Sequence, residues 1–481
     1  MKQILLGTLM GMFALNSFAQ KQYGYQVEVT FKQPIKDKKV YLAHYFGKGL
    51  PTIYKLDSAT VQNGTKAVFQ KKDSILGGLH LIMFENNSRF FHFLLDNGYS
   101  VKVETDTFGK AHFIENQINK DFEEEENKLI VLQKQKDEWR KKYDNAKSKS
   151  EKSKAEKQYQ SLLQAEKDLR RAYVASHPGN LLSLIFNAMD APDIPKKKHY
   201  LKNGKEDTLY NARYYKEHYW DKFDFTDNRL VKTGLLDSKL NDYFSNMVYP
   251  IPDSVNYEMD NILKKAEPAK EIYKYILHWL GNWTVNNKMM GVDGSFVYLV
   301  ENYYGKGKAY WLDSAAIAKY QDRAAQIAPN VLGNKAPKLT LQDLNTLKDV
   351  ELTTATNSPY TLIIFWSIEC GHCKEEMPKI SEMYNKELKK MGVEVISVPV
   401  TVDGGDDIRK AYNDWKVSSD WVTLVDAHNK RDYLHLYDAY STPVIYVLDK
   451  DKVIVGKKLA SSSIIPIIEY DMKHKKSKNF N

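Results

Sequence analysis

Between Gln117 and Ala175 the chain contains neither glycine nor proline. A stretch of this length that is rich in Glu and Lys has little choice but helix, because nothing in it breaks the backbone hydrogen-bond ladder. Leu129, Leu132, Trp139, Tyr143 and Ala146 recur at helical intervals. After the break at Ser148-Lys149-Ser150, Ala155, Tyr159, Leu162, Leu169 and Tyr173 do the same. Two helices folded back as an antiparallel hairpin are expected over about 117–175. Pro178-Gly179 ends the second one. The hairpin reads as a packing and spacer element, with a partner-binding coiled coil as the alternative.

The residues on either side have a different character. Over 25–105 the period is two: Val27, Val29 and Phe31 alternate with polar residues, as do Val101 and Val103. Asn63-Gly64 and Asp96-Asn97-Gly98 supply turns between short apolar runs. The segment 20–110 is therefore expected to be a small β-rich sandwich or barrel. Residues 111–330, hairpin included, are expected to be mainly helical, with many tyrosines but no repeat and no metal-type spacing. Asn63-Gly64-Thr65 and Asn282-Trp283-Thr284 match the N-glycosylation pattern, which is common by chance.

The 481 residues suffice for two to four domains, and a hydrophobic content of 43% suffices for their cores. The net charge of +9 comes from 70 basic against 61 acidic residues. These are scattered without a basic stripe, which argues against nucleic acid as a partner. Met1-Lys2, the apolar run Ile4 to Leu15 and Ser17-Phe18-Ala19 read as a signal peptide over 1–19, with Gln20 as the mature start. That run is too short for a span of about 20 residues. No cysteine follows the cleavage site, so a lipoprotein is not expected. No later stretch is apolar enough for a transmembrane segment in the mature chain. The expected location is the periplasm or cell envelope, with 473–481 as a basic tail.

From residue 331 to 472 apolar strands and amphipathic helices alternate. Thr361 to Trp366 is a strand; 371–391 is a helix with Met377, Ile380, Tyr384, Leu388 and Met391 on one face. Strands at Val393 to Val400, Val422 to Val425 and Val444 to Leu448, with helices at Asp406 to Trp415 and Ser463 to Met472, imply an α/β sheet covered on both faces. The protein's two cysteines, Cys370 and Cys373, fall between the first strand and its helix. Spaced i, i+3 at a helix start, they are within reach of a Cys370-Cys373 disulfide. So small a loop removes little unfolded-state entropy, so stability is a weak motive for the pair and chemistry a stronger one. The helix N-terminus favours a thiolate. Cys370, at the cap, should attack; Cys373, one turn inside, should resolve the mixed disulfide. Zinc would need two more thiol or imidazole ligands, and no further cysteine exists, so neither metal nor cofactor is expected.

The segment FWSIECGHCKEEMP resembles the active-site segment of thioredoxin-fold thiol:disulfide oxidoreductases, in particular the exported TlpA/ResA-like branch. Gly333-Asn334-Lys335-Ala336-Pro337 and Ser441-Thr442-Pro443-Val444 resemble two further motifs of that branch. The resemblance covers about 333–472. It implies a thioredoxin-like fold and a cis bond between Thr442 and Pro443, with the Thr442 backbone pairing with a substrate strand. It also implies a substrate-contacting role for Trp366 and a proton-relay role for Glu376, whose plain alternative is a helix-face carboxylate. The partners it implies are envelope proteins with thiols or disulfides and a membrane electron donor of the thioredoxin-reducing type. The 20–110 and 111–330 segments resemble partner domains of unknown function.

Two positions depart from the pattern. Glu369 stands where the branch usually has Trp, and Gly371-His372 fills the inner dipeptide. His372 would stabilise a thiolate and Glu369 oppose it, so the two act as pKa-tuning residues of opposite sign. The potential expected is roughly −270 to −180 mV. The function expected is an exported thiol:disulfide oxidoreductase of reductase or isomerase type. The alternatives are a binding or scaffold protein with a docking thioredoxin-like module, or a thiol-dependent peroxidase.

Overall fold

A computed structural model describes residues 24–50, 52–85, 89–400 and 405–478; the expected signal peptide and Gln20 lie outside them. The chain divides into two compact units, with the division after Lys239. The helical block expected over 111–330 is thereby shared between them.

The first unit begins with a β-sandwich. Its strands are β1 (Tyr25–Phe31), β2 (Lys39–His44), β3 (Tyr54–Thr60), β4 (Lys66–Lys71), β5 (Gly78–Phe84), β6 (Phe90–Leu95), β7 (Tyr99–Thr105) and β8 (Ala111–Glu115). They form two four-stranded sheets, ordered β4-β1-β7-β8 and β3-β2-β5-β6. The period-two side chains explain the packing: Val27, Val29, Val101 and Val103 of one sheet meet Val40, Leu42, Ile82 and Phe93 of the other in one core. β5 is buried on both faces, because Leu81 and Met83 on its outer side pack with Ala43 and Tyr45.

The hairpin follows as α1 (Gln117–Asn145) and α2 (Lys149–Ser176). Ser148 caps α2 in a reciprocal capping box with Glu151, which fixes the break where the sequence placed it. At the hairpin's base, the buried Asn119 side chain accepts from the Leu94 N–H (2.7 Å) and donates to the Leu94 carbonyl (2.8 Å), tying α1 to β6. The apolar residues expected in the seam, such as Leu129 and Leu132, are only half-buried. The side chains that are buried include Glu125, Lys136 and Arg170. There the Glu166 carboxylate accepts from both Lys136 and Arg170. α3 (Leu181–Met189) closes over Leu94 and Tyr173 through Leu181, Leu182 and Phe186, and α4 (Tyr210–His218) follows it.

The chain enters the second unit along α5 (Leu235–Asn246) and continues through α6 (Pro252–Ala266), α7 (Lys270–Asn286), α8 (Val292–Leu299) and α9 (Ser314–Ile327). A seven-stranded sheet then forms, of order β10-β9-β13-β12-β11-β14-β15. Its strands are β9 (Thr340–Asp343), β10 (Asp349–Glu351), β11 (Tyr360–Trp366), β12 (Val393–Pro399), β13 (Val422–Val425), β14 (Val444–Asp449) and β15 (Ile454–Lys457). β11 is parallel to β12 and antiparallel to β14. Every residue of β11 is buried, and its two faces feed two cores. Leu362, Ile364 and Trp366 pack with Met377 and Ile380 of α10 (Gly371–Met383), Ile408 of α11 (Gly405–Trp415) and Ile468 of α13 (Ile464–Lys478). Ile363 and Phe365 pack on the opposite face with Tyr437 and Tyr446, and with Tyr433 of α12 (Asp432–Leu436). At about 1.5–3 kcal/mol for each large apolar side chain buried, these two layers hold the end of β11 in place. α10 continues through Pro378. α13 runs past Met472 to Lys478, so most of the expected basic tail is helix.

Candidate active site

Cys370 is the N-cap of α10, directly beyond the buried strand β11. The Ser367 carbonyl accepts from the Cys370 N–H at 3.2 Å, which turns the chain from strand into helix. Cys370 Sγ accepts from the Cys373 N–H at 3.1 Å. This places the sulfur on the unpaired N–H groups at the positive end of the helix, where a thiolate is favoured. The two cysteines form a disulfide with their Cα atoms 5.2 Å apart. Cys370 is half-buried and Cys373 fully buried, so an approaching sulfur meets Cys370 first.

Thr442 and Pro443 lie across from the sulfurs, with the peptide bond between them cis. The Thr442 carbonyl oxygen is 3.2 Å from Cys370 Sγ, close enough to accept from a reduced Cys370 thiol. Thr442 and Pro443 are themselves half-buried, at the start of β14.

Other expected site residues sit differently. Trp366 does not reach the surface. It is fully buried, its Nε1 donates to Ser397 Oγ (2.7 Å) and its ring stacks on Tyr412 with centroids 5.6 Å apart. A substrate contact by Trp366 is therefore corrected to a core role under the redox loop. Glu376 accepts from Lys379 Nζ at 2.8 Å. Hydrogen bonds from Lys379 and Ser461 hold its carboxyl below the usual range, against the opposing effect of burial. That keeps it charged at neutral pH, whereas a proton relay needs a pKa near the working pH. Glu369 and His372 are exposed, so solvent weakens any charge effect they have on the sulfurs.

Arg323, Asp438 and Lys458 are additional charged residues near this loop that the sequence did not single out. The Asp438 carboxylate accepts from Arg323 Nη1 (2.6 Å) and Nη2 (2.9 Å), and from Lys458 Nζ. Burial pushes the Asp438 carboxyl up, but hydrogen bonds from Arg323 and Lys458 outweigh it and hold it below its usual range. The three lie far apart in the sequence within unremarkable polar surroundings, so no local signal marks them.

Fold and sulfur placement together define a class: the C-terminal domain is a thioredoxin-like thiol:disulfide oxidoreductase. More particularly, residues 332–457 match the AhpC/TSA family. Residues 145–330 match a family described as a domain of unknown function, DUF5106. A thioredoxin-like protein of Haemophilus influenzae is 29% identical over 125 residues, which are 26% of this chain and 68% of that protein. The thiol-disulfide oxidoreductase ResA of Bacillus cereus is 27% identical over 138 residues, 29% of this chain and 75% of its own. Among solved structures, a thioredoxin-like protein from Bacteroides caccae covers 59% of this chain and 98% of its own at 20% identity and TM-score 0.47. A domain of a possible thiol-disulfide isomerase from Cytophaga hutchinsonii covers 32% of this chain and 99% of its own at 31% identity and TM-score 0.27. Among the described residues, no helix is long and apolar enough to cross a membrane.

Proposed function

We propose that this protein is an exported enzyme that reduces or isomerises disulfides on envelope proteins through Cys370 and Cys373. One observation carries this reading: a half-exposed sulfur caps a helix N-terminus, bonded to a buried partner sulfur and 3.2 Å from the Thr442 carbonyl. In the reducing direction, the Cys370 thiolate attacks one sulfur of a client disulfide and the other client sulfur leaves as thiolate. Cys373, deprotonated in turn, attacks Cys370 Sγ and releases the second client thiolate. Two electrons pass to the client, and Cys370-Cys373 is left as the disulfide. A membrane dithiol donor would return two electrons to restart the cycle.

The Thr442 backbone next to Pro443 serves in this reading as the edge on which the client strand lies during attack. Export rests on the amino-terminal pattern of residues 1–19, in a compartment where client disulfides persist. The test is reduction of insulin, with trapping of mixed disulfides on the Cys373→Ala variant. Cys370→Ser should abolish both reduction and trapping, a loss of more than about 100-fold by analogy with removal of other covalent nucleophiles. Unchanged turnover in Cys370→Ser would overturn the reading, and rapid consumption of hydrogen peroxide by the reduced protein would redirect it to a peroxidase.

A further inference from the structure

A cavity of about 380 Å³ opens beside the redox loop. Ser441 and Pro443 line it, and they flank Thr442, whose carbonyl faces Cys370 Sγ. The cavity is thus lined by both sequence neighbours of Thr442. The rest of its wall carries three charged side chains: Arg323 comes from α9 with Gln326, whereas Asp438 and Lys458 come from the α/β domain with Tyr440 and Val444.

Charge in this wall is unevenly turned to solvent. The Asp438 side chain is 3% exposed, and both its oxygens accept hydrogen bonds from the neighbouring cations. Arg323 and Lys458 are 32% and 40% exposed. Two cations thus share one buried carboxylate, and the excess positive charge is what the cavity offers to an incoming group. Tyr440 and Ser441 are exposed and line the same cavity, with the Tyr440 hydroxyl bonded to His435 Nδ1 at 3.0 Å. A cavity with two partly exposed cations in its wall suits an acidic side chain. It is too small for much more than one or two residues.

We propose that this cavity is a subsite for the client residue next to the reacting cysteine, and that it selects aspartate or glutamate there. The proposal rests on the thiol–disulfide exchange reading and adds to it a preference and a role for α9. That helix lies in the segment matched only to a domain of unknown function. Arg323 is here a specificity residue supplied to the redox site by the helical part of the chain.

The test uses the full chain, reduced, in single-turnover reduction of disulfide-bridged peptides that differ only in the residue following the first cysteine: Glu, Gln or Lys. The Glu peptide should react roughly tenfold faster than the Gln peptide, and the Lys peptide slowest, with the spread shrinking as salt is raised. In Lys458→Gln and Arg323→Gln the Glu-to-Gln ratio should fall toward one. Lys458 is the more exposed, so its variant reports even if Arg323→Gln fails to fold. Equal rates for the three peptides in the unsubstituted protein, or a ratio that survives in Lys458→Gln, would overturn the subsite. Failure to reduce any of the three would instead remove the exchange reading on which it stands.

Discussion

Among the described residues, two of the carboxylates set between two cations are built inside out relative to each other. In the α1–α2 hairpin Glu166 lies between Lys136 and Arg170. Here the cations are the buried partners, at 9% and 10% exposure, and the carboxylate is the more open one at 20%. Beside the redox loop the carboxylate of Asp438 is buried and its cations face solvent. The first arrangement hides positive charge and can only hold two helices together. The second turns its positive charge to solvent beside the loop that carries Pro443. The same three-group chemistry is closed in one case and open to solvent in the other, and the difference lies in which member is left at the surface.

The largest effect should come from a pair in which the lysine is 2% exposed and the carboxylate 13%, which sets the scale for the other two. Lys457, 2% exposed, lies 2.7 Å from Asp293 Oδ2 and donates to Asn330 Oδ1 at 2.7 Å. The other oxygen of Asp293 is buried without a hydrogen-bond partner among the described residues. Lys457→Met strands that carboxylate and should cost about 3–5 kcal/mol, measured by urea unfolding of the second unit. A cost within error of zero would show that burial does not set the scale.

Next, Glu166→Gln strands two nearly buried cations and should cost about 3 kcal/mol. Asp438→Asn leaves its cations partly solvated and should cost only about 1–2 kcal/mol. Hydrogen exchange resolved by segment keeps the two units' losses separate. Equal losses would break the comparison.

The smallest effect concerns acid. The folded-state pKa of Asp438 is depressed, so its contribution to stability is complete above the unfolded value of about 4 and is lost as pH falls through the folded value. The stability gap between the unsubstituted protein and Asp438→Asn should therefore be constant at neutral pH and close below about pH 4. A gap that stays constant down to pH 2 would show that the carboxylate is not held charged by its neighbours.

Much of this architecture is legible because its causes are local. β11 announces itself as a short apolar run, α10 by its apolar face, and the sulfur site by its spacing between that strand and that helix. The β9–β10 pair left no clear signal in the sequence, because strands of four and three residues with exposed ends carry little periodicity. The hairpin was legible as helices but not in its seam, where Leu129 and Leu132 sit at helical spacing yet yield the buried positions to Lys136 and Arg170. Trp366 was expected to contact substrate because its motif adjoins the cysteines, whereas β11 turns its ring into the core. Arg323 and Asp438 meet only through tertiary structure, across 115 positions, and each alone resembles any surface charge.

The Lys457–Asp293 pair has a practical consequence for anyone wishing to work with a minimal redox module. The family match begins at residue 332, and a protein cut there would keep the lysine while discarding its carboxylate and Asn330. The ammonium would lose both of these partners, and the cut would also remove the arginine beside the redox loop. A truncation that keeps α8 and α9 is the smaller piece most faithful to the native enzyme.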